Sequence, residues 1–265
     1  MPALRWASLA VLMMAAVFHA RAATAAPWCS DGKVVCVSPQ MRNAKVASPL
    51  HIHAQITAND DVQINWQLKD STGASLAAGS TWDDPEALKR ISATAEAFDF
   101  VVYLIDPARS DHGALTLTPT RTDVSSEKMN LPPLVIPVRL ETATSELTIL
   151  VPEDRAGYDA DVEAYADEPV AKDFAPKTPL VPQKVTVMKV DESSRMAATA
   201  QAVLRSMPAQ GGPWHVESLR LDKGTAHLKL SSDAWAGVSY YWLAVGHLLE
   251  KTLEQFPAIQ RVEFQ

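Results

Sequence analysis

The residues best equipped for chemistry lie in a few short passages. Glu153 to Asp173 gathers eight carboxylates (Glu153, Asp154, Asp159, Asp161, Glu163, Asp167, Glu168 and Asp173) against Arg155 and Lys172. Asp159, Asp161, Glu163 and Asp167 take positions 1, 3, 5 and 9 of a calcium-binding loop. The match fails where the geometry is strictest: Ala164 stands where a sharp turn needs glycine, and Val170 where a bidentate Glu belongs. Residues 153–173 are therefore read as a solvated acidic loop, and no metal site is assigned. His51 and His53 stand two apart, so on a strand both imidazoles face one way, as a metal pair would. Gln55 and Thr57 share that face, which reads as solvent-facing polar surface. His227 alternates with Ala226 and Leu228 and points away from the core, while His112 and His247 have no spacing partner.

Nucleophilic and phosphate chemistry find no support. Serines are plentiful, yet there is no G-x-S-x-G elbow, no H-E-x-x-H, no Walker loop and no Rossmann glycine fingerprint. Carboxylates on a mobile loop would not keep the fixed separation that a glycosidase pair needs. No catalytic residue and no cofactor is assigned, and the chain is read as non-enzymatic. The passage Trp235-Ala236-Gly237-Val238-Ser239-Tyr240-Tyr241-Trp242 is the main surface candidate. Trp242 belongs to a helical core stripe, and Trp235, Tyr240 and Tyr241 cannot all face inward with it. They are binding anchors or caps over the helix entrance.

Two cysteines, Cys29 and Cys36, flank Ser30-Asp31-Gly32-Lys33-Val34-Val35. The Asp-Gly centre suggests a tight hairpin that brings them together as a disulfide pinning the N-terminal end. The spacing is not C-x-x-C, and no second pair exists to complete a zinc site. The preceding residues 1–26 have the form of a secretory signal peptide: Arg5, an apolar stretch from Trp6 to Phe18, then small residues offering cleavage after Ala22, Ala25 or Ala26. The apolar stretch is short of the ~20 residues of a membrane span. An extracytoplasmic place, periplasmic or secreted, with no transmembrane anchor after cleavage, is expected, and it suits a disulfide.

The elements that would position such residues change character along the chain. From Val34 to Leu140 the apolar period is two. Leu50, Ile52, Ala54 and Ile56 share a face, as do Val62, Ile64, Trp66 and Leu68, and Leu134, Ile136, Val138 and Leu140. Short strands with polar turns such as Asp70-Ser71-Thr72-Gly73 predict an all-β two-sheet sandwich over residues 27–143. The ordered pieces Ala47-Ser48-Pro49-Leu50, Trp66-Gln67-Leu68-Lys69-Asp70 with Gly73, Leu76-Ala77 and Gly79, Phe98-Asp99-Phe100, Gly113-Ala114-Leu115 and Ile136-Pro137-Val138-Arg139-Leu140 resemble the immunoglobulin-like domain of bacterial spore-germination proteins, the Gmad family.

After Leu140 the pattern mixes strands and helices, predicting a small α/β domain over 144–265. Glu146 to Val151 and Lys184 to Val190 are strands. Ser194 to Met207 places Met196, Ala200, Val203 and Leu204 at helical spacing before Pro208. Asp222-Lys223-Gly224 joins two further strands, and Trp242, Val245, Leu249, Leu253 and Phe256 form the stripe of a helix ended by Pro257. The expected order is β-β-α-β-β-α-β, with two helices on one sheet. Leu180-Val181-Pro182, the Ala-rich Ala197 to Leu204, Gly224 to Ser232, and Thr252-Leu253-Glu254-Gln255-Phe256-Pro257 before Val262 are similar to the sporulation and germination domain called GerMN. The two resemblances imply an extracytoplasmic, ring-building-like assembly or protein-interaction module of the cell envelope. Its partner would be an envelope protein or a second copy. A cell-wall glycan such as peptidoglycan is the alternative ligand, and an unrecognised hydrolase a third reading.

Composition agrees with a folded chain. The 265 residues are 47% hydrophobic and 21% charged, ordinary globular proportions. The formal charge of −7 argues against nucleic acid as a partner. Loss of Arg5 and Arg21 with the signal would take it to −9, and −6 of that falls between Glu153 and Asp173.

Overall fold

Alternation along the first strands becomes burial in the computed structural model, which describes residues 26–57, 62–80, 88–92, 95–122, 128–166, 174–207, 214–231 and 240–265. Most of the signal-like segment lies outside the described residues. The first part contains β1 (Trp28–Cys29), β2 (Val35–Val37), β3 (Lys45–Val46), β4 (Leu50–Thr57), β5 (Val62–Asp70), β6 (Ser75–Ser80), β7 (Leu88–Ser92), β8 (Ala95–Val102), β9 (His112–Thr122), β10 (Lys128–Asn130) and β11 (Leu134–Leu140). One sheet runs β1-β2-β4-β8-β7. The other runs β3-β11-β9-β5-β6, with β10 beside β9. Ile52, Ile56 and Phe98 from the first sheet meet Ile64, Leu68, Leu115, Leu117 and Ile136 from the second in one buried core. Each such side chain contributes about 1.5–3 kcal/mol by leaving water.

The turn after β5 is set by Asp70. Its Oδ1 accepts hydrogen bonds from Thr72 N (2.9 Å), Thr72 Oγ1 (2.6 Å) and Ala74 N (3.0 Å), and its Oδ2 accepts from Arg109 N (3.0 Å). Gly73 supplies the positive φ of 87° that the turn requires. At the other end of the sandwich Cys29 lies opposite Cys36 in the β1–β2 pair, and the two form a disulfide of 2.05 Å. Gly32, at φ 76°, makes the short 3-10 turn between them.

The second part contains β12 (Thr144–Pro152), α1 (Arg155–Ala166), β13 (Leu180–Met188), α2 (Arg195–Ser206), β14 (Val216–Asp222), β15 (Thr225–Leu230), α3 (Tyr240–Leu253) and β16 (Arg261–Phe264). Two expectations are corrected here. Residues 155–166 of the expected acidic loop 153–173 are the helix α1. Asp154 caps it, its Oδ1 accepting from Ala156 N at 3.1 Å. Tyr158 and Val162, four apart, bury one stripe and leave the carboxylates on the other side. Residues 167–173 lie outside the described residues. The second correction concerns two helices on one sheet: the described residues hold three α-helices, a β12–β13 ribbon and a separate β14-β15-β16 sheet. The outer edge of β12 is occupied by helix side chains. Arg195 Nη2 donates to Glu146 O (3.0 Å), and Leu150 N donates to the buried Thr252 Oγ1 (3.0 Å). One core nevertheless joins both sheets and all three helices.

Candidate functional site

The two cores meet along a short seam. Met188, at the end of β13, is fully buried among the sandwich residues, while Tyr103 and Ile105, beyond β8, pack on the second core. Met188 N donates to Ile105 O at 3.3 Å, Ser48 forms a parallel bridge with Val190, and Leu104 N donates to Ser48 Oγ at 3.0 Å. Each half thus places side chains inside the other's packing.

Beside this seam the surfaces part into a cleft of about 340 Å³. Its lining includes Ser75, Leu76, Ala77 and Ala78 of β6 and Trp66 of β5, from the six-stranded sheet. Gln201, Leu204 and Arg205 of α2, then Met207, also line it. Tyr103, Ile105 and Asp106 complete the lining together with Trp214 and His215. A mostly apolar concavity with a few polar groups, placed between two packed units, is the usual form of a recognition site.

Its walls are held by identifiable contacts. The Trp66 ring lies over Gly79, where an added Cβ would come within 2.6 Å of Trp66 Cζ2, so only glycine leaves the indole in place. Gln201, almost fully buried on α2, donates from Nε2 to Trp214 O (3.2 Å) and accepts at Oε1 from Val216 N (2.7 Å). It takes the role of a neighbouring strand for residues 214–216. The Trp214 ring stands 6.2 Å from Trp242, and Trp242 lies edge-on to Phe264 at 5.0 Å. Arg205 Nη2 lies 2.9 Å from Asp106 Oδ2 and ties the two halves at the cleft rim. Burial raises the Tyr103 hydroxyl above the usual phenol range, so it stays a neutral donor at any ordinary pH.

The residues expected from sequence fall elsewhere. Trp235 lies outside the described residues, and Tyr240 and Tyr241 open α3 by their backbone, with side chains outside the described set. His51 and His53 are exposed on β4, and His53 Nδ1 is 4.0 Å from Asp99 on β8. His227 Nδ1 stands 3.3 Å from Glu263 Oε2. Asp159 and Asp161 are driven apart by the 3.6-residue turn of α1. Asp159 pairs with Arg155 at 2.9 Å, and Asp161 accepts from both Thr178 N and Thr178 Oγ1 at 2.8 Å. Among the described residues no three His, Cys, Asp or Glu side chains gather as a metal site. His247, which has no spacing partner in the sequence, packs against the rings of Tyr158 and Phe174 (6.3 and 5.4 Å). Its burial lowers its pKa, so it is held neutral. The cleft residues carry no sequence signature of their own, since Trp66, Leu204 and Met207 read as ordinary core positions.

No helix among the described residues is long and apolar enough to cross a membrane. The disulfide suits a chain that folds in an oxidising compartment. No family model matches the chain, and no curated protein matches it. Among solved structures it is similar to the crystal structure of the C-terminal domain of wzt, at 13% identity and a TM-score of 0.30. That match covers 38% of this chain and 64% of the other, a likeness too distant to carry an argument about fold or function.

Proposed function

We propose that this chain is an exported, non-enzymatic protein-interaction or assembly component of the bacterial cell envelope. The observation that carries the reading is the cleft between the two cores, apolar within and bounded by Asp106 and Arg205 at its rim. The signal-like residues 1–26 and the Cys29–Cys36 disulfide support export.

The first half, 27–143, is read as an immunoglobulin-like sandwich of the Gmad kind. The order β2-β4-β8-β7 against β11-β9-β5 has the pattern of the ABED and GFC sheets of such domains. Trp66 then falls on the equivalent of strand C, where those domains bury a tryptophan. The second half, 144–265, is read as GerMN-like, and its separate core supports treating it as a unit. In-cell chemical cross-linking with mass spectrometry tests the reading. One identified envelope protein, or a second copy of this chain, should be recovered. Sedimentation with purified peptidoglycan and no protein cross-link would overturn it in favour of glycan binding.

A further inference from the structure

Helix α1 is held to α3 through a cluster of aromatic rings. Tyr158, fully buried on α1, donates its hydroxyl hydrogen to Ala244 O of α3, with the oxygens 3.0 Å apart. Its ring lies 6.1 Å from that of Phe174 and 6.3 Å from that of His247, one turn along α3 from Ala244. Phe174 stands edge-on to His247 at 5.4 Å and to Tyr165, near the end of α1, at 5.3 Å. Val162 is buried one turn beyond Tyr158. Three pieces of chain, α1, α3 and the segment that leads into β13, therefore meet around four rings. Of these ring types only imidazole gains a charge between about pH 7 and pH 5.

The charged groups of these pieces are mostly engaged with one another. On α3, Lys251 lies one turn beyond His247 and pairs with Glu254 at 2.8 Å, and Glu250 stands beside it in sequence. On α1, Arg155 and Asp159 pair at 2.9 Å, Asp161 accepts from Thr178, and Glu163 is exposed. The segment before β13 brings the exposed Lys177, while Lys172 and Asp173 lie outside the described residues. Among the described residues neither ring nitrogen of His247 meets a hydrogen-bond acceptor or a carboxylate. Burial first, and Lys251 second, hold the imidazole pKa below its ordinary value of 6.5, against a smaller opposite pull from Glu254. A proton on this ring therefore costs more with α1 docked than with α1 released.

We propose that His247 makes α1 an acid-releasable helix: uptake of a proton by its ring in mild acid undocks α1, with Tyr158 and Val162, from α3. The device goes beyond the reading of the chain as an interaction component and does not depend on it. Its sign follows from linkage. Docking is strongest above about pH 6.5 and weakens as pH falls below that value, because the released state then binds the proton more readily. The two bonds from Thr178 hold the Asp161 carboxyl below its ordinary 3.8, so that attachment of α1 is lost only in stronger acid. The two windows are therefore separate. Release exposes the Tyr158 and Val162 stripe of α1 and the part of α3 that it covers.

The test follows amide hydrogen exchange of the full, disulfide-bonded chain at about pH 7.5 and about pH 5, corrected for the intrinsic rate at each pH, beside an NMR titration of the His247 ring. Amides of Asp159 to Ala166 should exchange at least about threefold faster in acid, while those of Ile52 and Ile56 in the sandwich core keep their protection. His247→Phe, which keeps a ring but cannot take the proton, should abolish the acceleration. Should that variant fail to fold, the wild-type chain decides: the rise in α1 exchange must track the ring titration, with a midpoint below 6.5. Unchanged α1 exchange, or equal acceleration in the sandwich core, would overturn the proposal. So would acceleration that survives His247→Phe, or a ring that titrates at or above 6.5 because the aromatic faces hold the cation.

Discussion

The Arg205 guanidinium reaches from the last turn of α2 to the Asp106 carboxylate, 2.9 Å away, and so joins the helix of one core to the loop leaving the other. Both side chains are substantially exposed, so the pair is screened and contributes less than about 1 kcal/mol to stability. Its consequence is geometric, since it links two of the residues that line the cleft. Arg205→Ala and Asp106→Ala should each lower the urea midpoint only slightly. A double-mutant cycle should give a coupling below about 1 kcal/mol that shrinks in high salt.

Met188 tests how firmly the two cores are joined. Its side chain leaves β13 to be fully buried in the sandwich core. Met188→Ala should cost about 2–5 kcal/mol. Denaturation followed by tryptophan fluorescence and by far-ultraviolet circular dichroism should then separate into two steps as the seam fails before either core.

Gly79 tests the seating of Trp66. A Cβ at that position would meet the indole at 2.6 Å, and the indole is itself packed in the core. Gly79→Val should destabilise the chain by about 1–3 kcal/mol, read from chemical denaturation. The tryptophan emission should shift as Trp66 moves.

Asp70 gives a pH dependence of known sign. The Thr72 hydroxyl, with backbone N–H groups of Arg109, Ala74 and Thr72, holds its carboxyl below the usual value of 3.8. A carboxyl whose folded value is depressed adds stability above its unfolded value, and that stability is lost as pH falls through the folded value. Wild type should therefore weaken progressively from about pH 4 downwards. Asp70→Asn should be less stable at pH 7 and lack that part of the acid loss, measured as urea midpoints across the range.

The disulfide closes a short loop. By chain entropy its reduction should cost about 2–3 kcal/mol. Because among the described residues β1 pairs with β2 alone, hydrogen exchange after reduction should rise first at Trp28 and Cys29.

Much of the sandwich was legible because each strand repeats one rule. Leu50, Ile52, Ala54 and Ile56 alternate in sequence and are all buried, and so are Leu134, Ile136, Val138 and Leu140. The α1 helix was hidden because its carboxylates dominate its composition, while its helical signal rests on Tyr158 and Val162 alone. The split of the second half into a ribbon and a separate sheet was not readable, because Arg195 and Thr252 replace a neighbouring strand through contacts distant in sequence. The cleft was invisible for a related reason. Trp66, Leu204 and Met207 have the pattern of core residues, and only the docking of two cores leaves them bordering a shared space.

The central claim is recognition through that space, and site-specific photo-cross-linking in cells addresses it most directly. A photo-reactive residue is placed at position 78, on the cleft edge, and in a second variant at position 135, on the exposed face of β11. The account predicts one adduct of discrete mass, identified by mass spectrometry as a single protein, from position 78 and none from position 135. Equal adducts from both positions, or none from position 78, would contradict it.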